Sequence, residues 1–131
     1  MKKGFAYPAV LILLAVLLSA AGYFSLSALR WRQIAAADLA MLQARQMAES
    51  AVVYMEAQGG LPLVRNNISA LDRDKLLFLE GFNYIEKDLG FFIAQNRDTV
   101  YFIGYAGQLP EPRAIKILYT TTGGKPQPWY D

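Results

Sequence analysis

The sequence predicts an α+β protein: a long N-terminal helix, first membrane-spanning and then amphipathic, packed on a small antiparallel β-sheet. Three observations predict it. Phe5 to Leu29 are twenty-five consecutive residues without a charged side chain. Arg30 to Ala57 are rich in Ala, Leu, Met, Gln, Arg and Glu, the strongest helix formers. Beyond Gly59-Gly60 the apolar residues fall into short runs separated by turn residues, the pattern of strands and hairpins.

The first four residues form a short basic leader, and residues 5–29 follow as the apolar helix. At ~1.5 Å per residue such a helix runs ~37 Å, enough to cross ~30 Å of hydrocarbon with some tilt. Pro8 falls in its first turn, where a missing N–H costs nothing because the first donors of a helix have no internal partner. Ala15, Ser19, Ala20, Ala21, Gly22 and Ser25 gather small side chains that permit close approach between helices in lipid. Residues 30–58 carry the helix onward, with Ile34, Ala37, Met41, Ala44, Ala48, Ala51 and Met55 as a narrow apolar seam at alternating spacings of three and four. That seam packs on the chain's own sheet in one reading and on neighbouring subunits in the other.

Residues 59–131 read as a small β-rich domain. The strands expected are Phe82 to Lys87, Gly90 to Gln95, Thr99 to Tyr105 and Ala114 to Thr121, with Asn96-Arg97-Asp98 as a polar hairpin connection. Leu109-Pro110-Glu111-Pro112 reads as an exposed link, because proline cannot donate to a central ladder. Residues 61–79 give no assignable pattern beyond a turn at Asn66-Asn67 and a helix cap near Ser69 to Asp72. The tail from Gly123 reads as loose unless Trp129 or Tyr130 docks.

Composition closes off most chemistry. The chain has no cysteine and no histidine, so disulfides, thiol nucleophiles, zinc sites built on these ligands and Ser-His-Asp relays are all out of reach. No catalytic residue, metal or cofactor is expected, and the chain is not expected to be an enzyme. Of thirteen basic side chains, Lys2 and Lys3 account for the whole net charge of +2, leaving eleven against eleven acidic ones from Phe5 onward. A general affinity for polyanions is therefore not implied.

Lys2-Lys3-Gly4-Phe5 followed by an uninterrupted apolar helix resembles the class III leader of type IV pilins and pseudopilins. The resemblance implies cleavage between Gly4 and Phe5 by a prepilin peptidase and methylation of the new Phe5 amine. Glycine suits such a site, since it lets the backbone approach a catalytic centre closely. The string Gly4-Phe5-Ala6-Tyr7-Pro8-Ala9-Val10-Leu11 is similar to the start of the ComGG family of competence minor pseudopilins of Gram-positive bacteria. It implies a pilin-like fold and a subunit acting in pilus assembly or at the pilus tip to support DNA uptake. The implied partners are other major and minor pseudopilins, the prepilin peptidase and the membrane. The implied location is a single-pass cell-membrane protein with its C-terminal domain outside, reaching the cell surface after assembly. Helix packing in the filament would fall to Ala9, Ala15, Ser19 and Gly22.

The sequence departs from the commonest pilin pattern at Ala9, where the family usually carries a glutamate that pairs with a neighbouring subunit's amine. By similarity to pseudopilins with this substitution, the subunit would sit at the filament tip as an initiator. Other readings of the same segment are a minor pseudopilin of a type II secretion system, a signal-anchored extracytoplasmic adaptor, and a secreted domain released after Ser19-Ala20-Ala21.

Weaker patterns carry less. Gly104-Tyr105-Ala106-Gly107 and Gly123-Gly124-Lys125 lack the spacing of a phosphate loop and read as turns. Asp72, Asp74 and Asp98 are too irregular for a calcium loop, and the sequon Asn67-Ile68-Ser69 is given no role. Tyr84, Tyr101, Tyr105 and Tyr119, with Phe82, Phe91, Phe92 and Phe102, could stack on single-stranded DNA but read first as core.

Overall fold

A computed structural model of the chain describes residues 3–60, 62–67, 72–121 and 127–128. It divides into two compact units, residues 1–36 and 37–131. Helix α1, Lys3–Ala57, runs through both. It stops where the sequence supplies two glycines: Gly60 N donates to Met55 O at 3.2 Å and Gly59 N to Glu56 O at 3.2 Å. Both glycines adopt positive φ, which closes a Schellman cap and satisfies the last carbonyls.

In the second unit a meander of β2 (Gly81–Glu86), β3 (Leu89–Asn96), β4 (Thr99–Ala106) and β5 (Ala114–Thr121) forms the body of one sheet. Two dipeptides extend it: β1, Arg65–Asn66, beside β3, and β6, Gln127–Pro128, beside β5. The four strands read from the sequence are present with shifts of one residue at most. The sheet is mixed rather than purely antiparallel, because β1 runs parallel to Gln95 and Asn96. The β3–β4 connection is a two-residue turn, with Asn96 paired to Thr99 and Arg97 at φ 53. Gly104 to Ala106 do not form a turn but lie inside β4; Gly107, at φ 110, begins the turn. Of the tail, Gln127 and Pro128 add a strand to β5. Gly123-Gly124-Lys125, the proposed cap residues from Ser69 to Leu71, and Trp129 and Tyr130 lie outside the described residues.

Both faces of the sheet are covered. Odd residues of β3 and even residues of β4 face α1, where Phe91, Ile93 and Phe102 are buried with Ala51 and flanked by Met47, Tyr54 and Met55. Phe92, Ala94, Tyr101, Ile103 and Ile117 face the other way and meet Leu76 and Leu79. Leu76 belongs to a 3-10 helix, Arg73–Phe78, and Leu79 follows it, in the segment that carried no readable pattern.

Helix α1 docks through its smallest residues. Ala40, Ala44, Ala48 and Ala51 are buried, and Met55 is half-buried. The N-terminal part of the expected seam differs: Ile34, Ala37 and Met41 are exposed, and Ala40 takes the inward position. At ~3.6 residues per turn Ala40 and Met41 lie on either side of the direction set by Ala44, Ala48 and Ala51, and the smaller of the two is the one that is buried.

Asn66 ties the irregular segment to the sheet. Its Nδ2 donates to Glu80 O at 2.9 Å, Gln95 O at 3.1 Å and Val64 O at 3.2 Å, while its Oδ1 accepts from Glu80 N at 3.2 Å. One side chain thus joins β1, β3 and the residue that leads into β2.

Candidate functional site

The first unit presents an apolar rod. Its large side chains are exposed, Val10, Leu11, Leu13, Leu17 and Leu18 by half or more, and none of its most apolar stretch is buried. Each such side chain left in water forgoes roughly 1.5–3 kcal/mol of burial. The helix is long and apolar enough to cross a membrane. Tyr7 lies near one end of the uncharged stretch, with Arg30, Trp31 and Arg32 at the other, the residue types that sit at a membrane–water boundary.

Gly4 and Phe5 lie in the first turns of α1, and Gly4 is exposed with nothing within 4 Å of a Cβ placed on it. Ala15, Ser19 and Gly22, at spacings of four and three, share one exposed face, with open space around Gly22. Ala9 is exposed but lies about 120° around the helix from Ala15 at ~3.6 residues per turn. Ser19 Oγ donates to Ala15 O at 2.8 Å, so its hydroxyl is satisfied within the helix, as hydrocarbon requires.

The second unit has its own unpartnered surface. On α1, Leu39, Leu42 and Val53 are exposed on the side opposite the buried alanines. Val53 leads into an open groove with Met47, Ser50 and Tyr54 on one wall and Tyr84 and Phe91 on the other. The Tyr84 ring stacks on Phe91 at 5.3 Å, and its hydroxyl donates to Glu86 Oε2 at 3.3 Å. Of the aromatic side chains that could have stacked on bases, Phe91, Phe92, Tyr101, Phe102 and Tyr105 are buried, Phe82 and Tyr119 half-buried, and Tyr84 exposed.

No family model, curated protein or solved structure matches the chain. Among the described residues no group of three or more acidic side chains is placed to hold a metal ion. Asp72 and Asp98 each lie 3.9 Å from a cation, Lys75 and Arg65 respectively. Burial raises Tyr105 above its ordinary pKa of 10.0. It raises Tyr101 as well, opposed by a hydrogen bond with Thr99 and reinforced by Tyr119. Both are buried core residues. Two apolar surfaces are left exposed: a rod, and a groove beside a sheet edge. The groove was not read from the sequence, although Phe82, Tyr84 and Glu86 on alternate positions are the signal of a strand with one apolar, acid-ended face.

Proposed function

We propose that the chain is a minor pseudopilin of a competence-type pilus, acting in pilus assembly or at its tip to support DNA uptake. It sits in the cell membrane through residues 5–29 with the sheet domain outside, and its work is association rather than catalysis. The observation that carries this reading is the exposed, uncharged rod directly behind Gly4, continuous with a helix docked on a small sheet. Two further features support it. Leu39, Leu42 and Val53 leave an apolar stripe on the outer side of α1, suited to lateral contact with other pseudopilins. Ala9 places no carboxylate in the rod, so an amine arriving above this subunit finds no counter-ion in hydrocarbon, which suits a tip position.

Intact mass and N-terminal sequencing of the protein extracted from membranes test the proposal. A mature chain beginning with methylated Phe5 is expected. Retained Met1 would indicate a signal-anchored adaptor, and a start at Gly22 a secreted domain; either ends the pseudopilin reading.

A further inference from the structure

Strand β2 is an edge that the chain leaves open. Among the described residues it pairs with β3 alone, so half of its backbone N–H and C=O groups point away from the sheet. It has no proline, no bulge and no lysine within Gly81–Glu86, and its protecting charges are acidic ones at its ends. Tyr84 and Ile85 are 45% and 57% exposed, and Ile85 lies opposite Gly90, which offers it no side chain to pack on. The edge is also held in place, because Asn66 clamps both the N–H and the C=O of Glu80.

Its charges select among occupants. Exposed Glu80 and Glu86 bracket the strand, Asp88 follows in the turn, and within residues 80–88 only Lys87 opposes them. A second copy of β2 is a poor partner. In an antiparallel two-fold pairing centred on Asn83, Glu80 falls opposite Glu86; centred on Tyr84, it falls opposite Asp88. Like charges directly opposite destabilise a sheet pair.

We propose that the β2 edge is a β-augmentation site for an extended segment of another polypeptide with a basic, apolar, apolar, basic pattern on alternate residues. The two apolar side chains would lie beside Phe82 and Tyr84 over the groove walled by Val53 and Tyr54, and the basic ones would meet Glu80 and Glu86. Main-chain bonds supply affinity, and the two carboxylates set register. The site lies wholly in the second unit and stands apart from the pseudopilin reading.

The test uses the full chain in detergent micelles and a fluorescein-labelled peptide, Lys-Thr-Val-Thr-Val-Thr-Lys, followed by anisotropy. Saturable binding that weakens with added salt is expected, and a Glu80→Lys, Glu86→Lys double variant should lose at least about tenfold in affinity, a change of ~1.4 kcal/mol. Both residues are exposed, so the variant should keep its circular dichroism and melting temperature. Hydrogen exchange should slow at amides within Gly81–Glu86 when the peptide is bound. The proposal is overturned by no binding up to ~1 mM. Equal binding of the peptide with glutamates for lysines overturns it too, as does protection confined to α1. Disulfide capture of Tyr84→Cys by its own copy, without peptide, would transfer the edge to self-association and equally overturn it.

Discussion

Tyr105 is among the largest fully buried side chains, and its hydroxyl has no hydrogen-bond partner among the described residues. Its ring fills the space over Gly90, its cross-strand partner, where any Cβ would collide with it. The packing is favourable and the orphaned hydroxyl costs about 1–3 kcal/mol. Tyr105→Phe should therefore leave stability at neutral pH unchanged or raise it. Burial raises Tyr105 and Tyr101 above 10.0, so the folded state favours neutral phenols. Stability from this source is complete below about pH 10, the unfolded value, and is lost as pH rises through the folded values. Urea unfolding on both sides of pH 10 should show a shallower alkaline loss in Tyr105→Phe than in the natural chain. Equal losses, or destabilisation at neutral pH by more than ~1 kcal/mol, would mean that the hydroxyl has a partner. At this scale the sequence was only partly readable. A short apolar run marked Tyr105 as a strand residue, but nothing local marks Gly90 as the gap it fills. Asn66 likewise reads as a turn residue, because its bonds reach Glu80 and Gln95, fourteen and twenty-nine positions away.

Among the elements, α1 meets the sheet at one point of close approach. Gly104 faces the helix, and a Cβ there would overlap the carbonyl oxygen of Ala44 and press on the nitrogen of Ala48. The obstacle is helix backbone, which cannot swing aside as a side chain can. Gly104→Ala should therefore cost more than the ~1–3 kcal/mol usual for an extra methyl in a packed core, and chemical denaturation should report it. Gly22→Ala, with open space around it, is the matched control and should leave the domain's unfolding midpoint where it was. A Gly104→Ala chain as stable as the natural one would show that the helix can lift from the sheet at little cost. The strands were legible because each is a short run rich in apolar, β-branched or aromatic residues bounded by turn residues. β1 was not, since two residues carry no period, and the mixed character of the sheet rests on those two. The helix stop at Gly59-Gly60 was legible because positive φ is a property of glycine itself. The role of Gly104 was hidden for the opposite reason: its φ is ordinary, and the need for glycine comes from a helix sixty residues earlier in the chain.

At the scale of the whole molecule, the division at Ala36 separates a part that lacks a core from a part that has one. Among the described residues every buried one lies at Ala40 or later, while the large apolar side chains described in the first unit stand exposed. A domain of this size buries only roughly 60–70% of its unfolded surface, so it can fold alone but with little in reserve. A chain beginning at Ala37 loses no core residue and keeps the four buried alanines of α1. It is expected to express without detergent, to show mixed helix and strand by circular dichroism, and to unfold in one cooperative transition. The full chain is expected to need detergent or lipid, because its rod has no apolar covering of its own. Analytical ultracentrifugation of both, with and without detergent, separates the outcomes. If the full chain is monodisperse in plain buffer, the rod is covered by something other than lipid and the membrane reading fails. If instead the shortened chain is unfolded, residues before Ala37 contribute to folding, and the sheet does not stand on the packing described. Leu39, Leu42 and Val53 add a graded result: they remain exposed in the shortened chain, so weak concentration-dependent association is expected, and replacing all three by glutamine should abolish it without altering the melting temperature.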